Sequence, residues 1–479
     1  MPVNRNDNAV LFWNGVLLEA MEEDSQKPTA NQEQGGPTRA SRAAAIVHAA
    51  MHNAINGVLQ RNTFYQDPKT MAPAPPGPPP AGASQQAAGA GAAHRALSRL
   101  YQSQTAPLFN PRRATFEALP LPDANHPPSF AFGEGVAQQL LDTRANDGSG
   151  AAADVYDPDP PPAPGVWEPE PNVAPPDNLA PPGPPLTPNW GAVRLFLLDT
   201  ISRVRPPAFI ALSSGDYTFA FRNVRDKGRD PSPPPQPPQG RTADEENIAL
   251  FWAYDDQLGT PIRLYNRHAF EILNQEPNVP ANVSVIHRHA RMFALINLTM
   301  ADAGIACWEA KFRPPGFRPP GSTSDPSYHI WRPFQGIRGA ANDGNPETDP
   351  IANWLPLGRP RARDAAGNPV DNTTPNFPAY PSGHSSFGTA SFGMLRKFFG
   401  TKPFPFVLSS EEVANRRSYA DTTNPQTGAQ ITSWTQAINE NDASRIFLGV
   451  HWRTDTIQGR PLGQKVSDYI WDRYLRPIN

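Results

Sequence analysis

Apolar positions along the chain recur mostly at helical rather than alternating spacing. Residues 283 to 311 form one long run of this kind, and after Ser382 the positions Phe387, Ala390, Ser391, Met394, Leu395 and Phe398 fall three or four apart. Such positions share one face of a helix, so both stretches predict helices with one side turned to a core. Residues 41 to 57, SRAAAIVHAAMHNAING, add alanine-rich propensity with a serine start and a glycine stop. Thr242 and Glu245 stand at capping-box spacing and predict that another helix begins there. The final helix, PLGQKVSDYIWDRYLRP, is expected to start near Pro461. Strand patterns are scarce and no fixed-period repeat is found, so a mainly α architecture of packed bundles follows.

Proline separates these helices. The 479 residues include 60 prolines, well over twice the average share of about 5%, concentrated at 72–80, 157–188, 231–238 and 313–320. Such tracts lack backbone donors and favour polyproline II, so they read as stiff surface connections; an SH3-ligand role is the functional alternative. The third tract is the candidate boundary between an N-terminal helical half, 1–238, and a C-terminal helical half, 239–479. Lys plus Arg (42) nearly balance Asp plus Glu (45), for a net charge of −3, so no global field recruits nucleic acid or anionic membrane. Any anion site must be local. The single cysteine, Cys307, rules out an intrachain disulfide and reads as a buried small hydrophobe beside Trp308. The opening MPVNRNDNAVLFWNG does not read as a signal peptide and no run approaches membrane-spanning length, so a soluble, cytoplasmic protein is the default expectation.

Three clusters carry candidate chemistry. In FPAYPSGHSSFG, residues 377–388, Ser382, Gly383 and His384 sit where a helix starts. Free backbone N–H groups and the positive end of the helix dipole suit an anion there, and Gly383 removes the side chain that would block close approach. The plain alternative is an ordinary N-cap with a surface histidine. In SRIFLGVHWRTD, residues 444–455, Arg445 precedes His451, and Asp455 lies four residues beyond it, close enough on a helix to fix the imidazole tautomer. Upstream, Lys311 and Arg332 supply two more cations, with Arg332 held between Trp331 and Pro333. The remaining histidines weigh less: His48 and His52 share a helix face without a third ligand, His287 and His289 point to different faces, and His329 fits a loop.

The order Lys311, Arg332-Pro333, Pro381-Ser382-Gly383-His384, Ser444-Arg445, His451 and Asp455 resembles the three-part signature shared by vanadium-dependent haloperoxidases and type 2 phosphatidic acid phosphatases. FWAYDDQLGTPIRLYN, WEAK, FPAYPSGH and GVHWRTD resemble the chloroperoxidase group of the former, and RASRAAAIVHAAMHNAI and GDYTFAFRNVRDKG extend the likeness over most of the chain. One departure stands out: twenty residues separate Lys311 from Arg332 where the family usually has six, the surplus being RPPGFRPPGSTSDP, read as a surface insertion.

The resemblance implies two four-helix bundles with the cofactor between helices. It implies vanadate as cofactor, His451 as the metal ligand, and Lys311, Arg332, Arg445, Ser382 and Gly383 as donors to the vanadate oxygens. His384 would take the peroxide proton and Lys311 would polarise the bound peroxide. Asp455 would orient His451, and Asp255 would pair with Arg332. Trp308 and Phe377 match aromatic residues of the halide and peroxide pocket, which points to chloride as well as bromide. Implied partners are hydrogen peroxide, halide and small organic substrates, with homo-oligomerisation open. The rival enzyme is a soluble acid phosphatase using the same oxyanion site, with a histidine nucleophile. A proline-rich adaptor is the non-enzymatic reading.

Overall fold

In the computed structural model the described residues are 4, 6–69, 77–155, 163–169, 172–174, 178–180, 185–231, 240–254, 257–277, 284–313, 329–360, 374–400 and 404–478. Most of the proline tracts and of the 313–326 insertion lie outside them, as does the candidate boundary at 238. Among the described residues thirteen α-helices dominate: α1 Ala9–Ser25, α2 Gly36–Leu59, α3 Gln85–Leu100, α4 Asn110–Glu117, α5 Pro127–Thr143, α6 Gly215–Lys227, α7 Ala243–Phe251, α8 Pro261–Leu273, α9 Val285–Lys311, α10 Pro333–Arg338, α11 Gly383–Phe399, α12 Ser433–Phe447 and α13 Arg453–Arg473. Strand is confined there to short antiparallel pairs such as Phe406–Ser409 with Arg416–Tyr419.

Two groups of four helices pack together. α1, α2, α3 and α5 form one, α8, α9, α11 and α13 the other, and α2 against α9 joins them. One apolar cluster runs through both, from Ala9 to Leu475, so the groups share a core. The long apolar run is α9, which is nearly all buried because it serves both groups at once. By length and composition alone this helix could cross a bilayer, but 94% of its apolar window is buried inside the protein.

Local sequence explains several helix ends. Thr242 and Glu245 form the expected capping box at α7, with Glu245 N–H donating to Thr242 Oγ1 at 3.2 Å and Thr242 N–H to Glu245 Oε2 at 2.9 Å. α2 is longer than its alanine-rich stretch suggested: it starts with Pro37 in its first turn, keeps Gly57 inside, and stops at left-handed Gln60, φ 51°. α13 starts eight residues before Pro461, at Arg453. Pro461 is tolerated because it sits on the exposed side, one turn after exposed Ile457, where water can take the carbonyl that the ring leaves without a donor.

Close approach of α11 and α13 positions the site. A Cβ on Gly463 would lie 2.3 Å from the Ser386 carbonyl oxygen, and one on Gly459 2.8 Å from that of Ser382. These two glycines let α13 lie directly on the first turn of α11. Gly463→Ala should push the helices apart, lower stability by about 1–3 kcal/mol in denaturant titration and weaken oxyanion binding. Gly150→Ala, with nothing within 4 Å of its added Cβ, should change stability by less than about 0.5 kcal/mol. Equal effects would refute the close-packed seam.

Candidate active site

Four segments meet at one buried point: the end of α9, the strand-like residues before α10, the start of α11, and the turn from α12 to α13. That turn supplies the central imidazole. Asp455, in the first turn of α13, reaches back to accept the Trp452 N–H at 2.9 Å, and the same oxygen lies 2.9 Å from His451 Nδ1. The expected contact between these two residues is present, but its cause differs. His451 precedes α13, so the pair is joined through a helix cap rather than along a helical face.

The tautomer follows from the other ring nitrogen. Arg332 Nη1 lies 3.2 Å from His451 Nε2, and a guanidinium can only donate. Nε2 therefore carries the lone pair, and the proton sits on Nδ1 facing Asp455. Burial, with Arg332, Lys311 and Arg445 close by, holds the His451 pKa well below its ordinary 6.5, so the ring is neutral. Burial pushes Asp455 up to about 7, against the opposing pull of Lys311 and the Trp452 N–H.

Two of the cations are fixed by main-chain oxygens. Arg332 donates from Nε to the Phe377 carbonyl at 2.8 Å and from Nη1 to that of Val450 at 2.7 Å. Lys311 donates two of its three N–H bonds to the carbonyls of Pro378, at 2.6 Å, and Ala379, at 2.9 Å. The long spacing before Arg332 therefore leaves Lys311 in the cluster: its Nζ lies 5.0 Å from the Phe377 ring centre, while Arg332 Cζ lies 4.8 Å from the same centre. Burial, with Arg332 and Arg445 adding to it, lowers the Lys311 pKa to about 7.

α11 forms the opposite wall. Ser382 caps it by accepting the Ser385 N–H at 3.3 Å, and its own N–H donates to the Asp455 carbonyl at 3.0 Å, which ties the two helix starts together. His384 lies in the first turn, its Nε2 at 2.8 Å from the Ala253 carbonyl, to which it donates. Between the walls is a small pocket lined by His451, Arg445, His384 and Gly383, with Trp308 and Phe377 as its aromatic side. The two aromatic rings lie 4.8 Å apart.

An oxyanion fits this arrangement. A Cβ on helical Gly383 would meet the Trp308 ring at 3.5 Å, an ordinary contact, so packing does not demand glycine there; its lack of a side chain leaves room for an anion to approach the Gly383 N–H. Three buried cations beside a neutral imidazole also lower their mutual repulsion by taking up a multiply charged anion.

The structure lines the pocket with Trp308, Phe377, Gly383, His384, Arg445 and His451, and behind that lining it places Arg332 and Asp455 against His451, Lys311 beside Phe377 and Ser382 at the cap of α11. Asp255 lies outside the described residues. His329 packs between the rings of Trp167 and Phe312, each 5.7 Å off. His48 bonds Asn14 at 3.1 Å and stacks on Phe293, a packing role. Cys307 is buried, as expected. Sequence reasoning missed the carbonyls of Phe377, Pro378, Ala379, Val450 and Ala253, for which residue identity carries no signal.

Fold and pocket together define a helical enzyme of the oxyanion-binding class. Sequence models of the vanadium chloroperoxidase N-terminal domain and the VCPO second helical-bundle domain match residues 1–189 and 291–479. The vanadium chloroperoxidase of Curvularia inaequalis is 30% identical over 535 aligned positions, covering 96% of this chain and 81% of that protein. This chain belongs to the vanadium chloroperoxidase family of vanadium-dependent haloperoxidases. In fold it is similar to the first bacterial vanadium-dependent iodoperoxidase, with TM-score 0.69, 22% identity and 99% of both chains covered. It is similar also to an apo-type bacterial vanadium-dependent chloroperoxidase, with TM-score 0.59, 16% identity and 93% and 95% covered.

Lys311 keeps its proton to the ordinary 10.5 when unfolded but only to about 7 in the fold. Folding releases that proton between the two values, so apo-protein stability rises with pH across this window. Lys311→Met should flatten the rise in denaturant titrations at the two ends of the window. An unchanged slope would place the ammonium in water.

Proposed function

We infer that this chain is an oxidoreductase that uses hydrogen peroxide to oxidise halide to hypohalous acid on a vanadate cofactor, as its family membership and its pocket both support. The observation that carries the residue assignment is the His451 tautomer. With Nδ1–H held by Asp455 and Nε2 carrying its lone pair beside three cations, the ring is a neutral ligand prepared for the centre of an oxyanion.

The other roles follow from charge and position. Arg332, Arg445 and Lys311 would neutralise the oxygens of the anion, and the Ser382 hydroxyl and Gly383 N–H would donate from the α11 start. When bound, vanadate supplies Lewis acidity that polarises peroxide without changing its own oxidation state. His384 donates Nε2–H to the Ala253 carbonyl, so Nδ1 is the ring nitrogen that accepts the peroxide proton. Lys311 would place positive charge where peroxide binds. Trp308 and Phe377 exclude water along one wall. Bromide is the proposed halide, with chloride second on the strength of this aromatic pair. The released hypohalous acid would halogenate small organic nucleophiles.

Reconstitution of the purified protein with vanadate should give peroxide-dependent bromination of a dye, with chlorination assayed beside it and phosphate-ester hydrolysis followed on apo-protein. His451→Ala should abolish vanadate-dependent turnover, whereas His384→Ala should cut turnover by about 10²–10⁴-fold while sparing vanadate binding. Robust phosphatase activity without halogenation would reverse this reading.

A further inference from the structure

The carbonyl oxygen of His384 receives more hydrogen bonds than its place in a helix calls for. Its ladder partner in α11 is the N–H of Gly388, four residues on. Two side chains from other helices reach the same oxygen: the Tyr265 hydroxyl from α8 and Asn441 Nδ2–H from α12, each at 3.0 Å. Tyr265 Oη also stands 3.0 Å from Asn441 Oδ1, so its one proton is shared between two acceptors and the three groups close a triangle. Gly388 makes the room. A Cβ there would lie 2.5 Å from Asn441 Nδ2 and 3.0 Å from Tyr265 Oη.

Tyr265 and Asn441 are both fully buried, and the next residue on α12, Asp442, is held by Arg460 Nε of α13 at 2.8 Å. The turn of α12 that carries Asn441 is thus also tied to α13. We propose that Tyr265 and Asn441 are positioning residues that set the place of the His384 imidazole through its main-chain oxygen. The proposal rests on the reading of His384 as the acceptor of the peroxide proton.

The physical need is local. His384 lies in a first helical turn, where N–H groups have no ladder partner and fraying begins. The ring tip is fixed by the Ala253 carbonyl. Fixing the carbonyl of the same residue as well holds both ends of the unit, so the backbone cannot swing the ring along the pocket wall. Misplacement of a reacting group by ~1 Å can cost about a hundredfold in rate.

A double-mutant cycle tests this. Tyr265→Phe and Asn441→Asp both preserve side-chain shape, and each is made in the wild-type and the His384→Ala backgrounds, so either alone suffices. Measured are vanadate affinity by equilibrium dialysis, kcat/KM for hydrogen peroxide and KM for bromide. Either variant should lower kcat/KM for peroxide by about tenfold or more, keep vanadate affinity within about twofold, leave KM for bromide unchanged, and cause no further loss when His384 is already alanine. Equal losses in both backgrounds, or a parallel fall in vanadate affinity, would overturn the positioning role. A His384→Ala protein with wild-type kcat/KM would instead overturn the assignment of His384 itself.

Discussion

Burial of three cations around one neutral imidazole is the constraint on which the rest of the structure depends. Lys311, Arg332 and Arg445 are fully out of water, and removing such charges from solvent costs several kcal/mol each unless donors and acceptors are supplied. For Lys311 and Arg332 the fold supplies the acceptors mainly from the backbone. Carbonyls at 377, 378, 379 and 450 take the lysine and arginine protons, which requires the 377–379 segment, the end of α9 and the α12–α13 turn to converge. The glycine seam between α11 and α13 is what permits that convergence, because it brings the Ser382 N–H onto the Asp455 carbonyl.

An anion is the natural complement of this charge, and charge alone would accept phosphate as readily as vanadate. His451, through its Nε2 lone pair, and His384 would serve either anion, and the apolar wall of Trp308 and Phe377 is what a halide and peroxide pocket adds. Membership of the vanadium chloroperoxidase family, shared with a relative aligned over 96% of the chain, joins these features to peroxide and halide chemistry.

Much of the site was legible in the sequence because its residues are chemically distinctive and occur in short blocks. SGH at a helix start, an arginine ahead of a histidine, and an aspartate beyond it marked the positions, and their proposed roles came from the resemblance of the ordered blocks to the haloperoxidases. Helix ends governed by side-chain caps were legible too, as at Thr242 and Glu245. What escaped depends on the third dimension. The start of α13 is set by Asp455 reaching back to Trp452, which overrode the proline signal at 461. His451 and Asp455 meet through that cap, so the right contact came from the wrong geometry. The carbonyl cradle has no sequence signature, and neither does the convergence of Tyr265 and Asn441 on one oxygen, since they are separated by most of the C-terminal half of the chain.

The central claim is that His451 Nε2 is the one protein nitrogen prepared to bind the metal, with the cations holding the oxygens. X-ray absorption at the vanadium edge of the vanadate-loaded protein tests this most directly. A single imidazole scattering contribution in the wild type, absent from vanadate-soaked His451→Ala, is the expected result; imidazole scattering that persists in His451→Ala would contradict it.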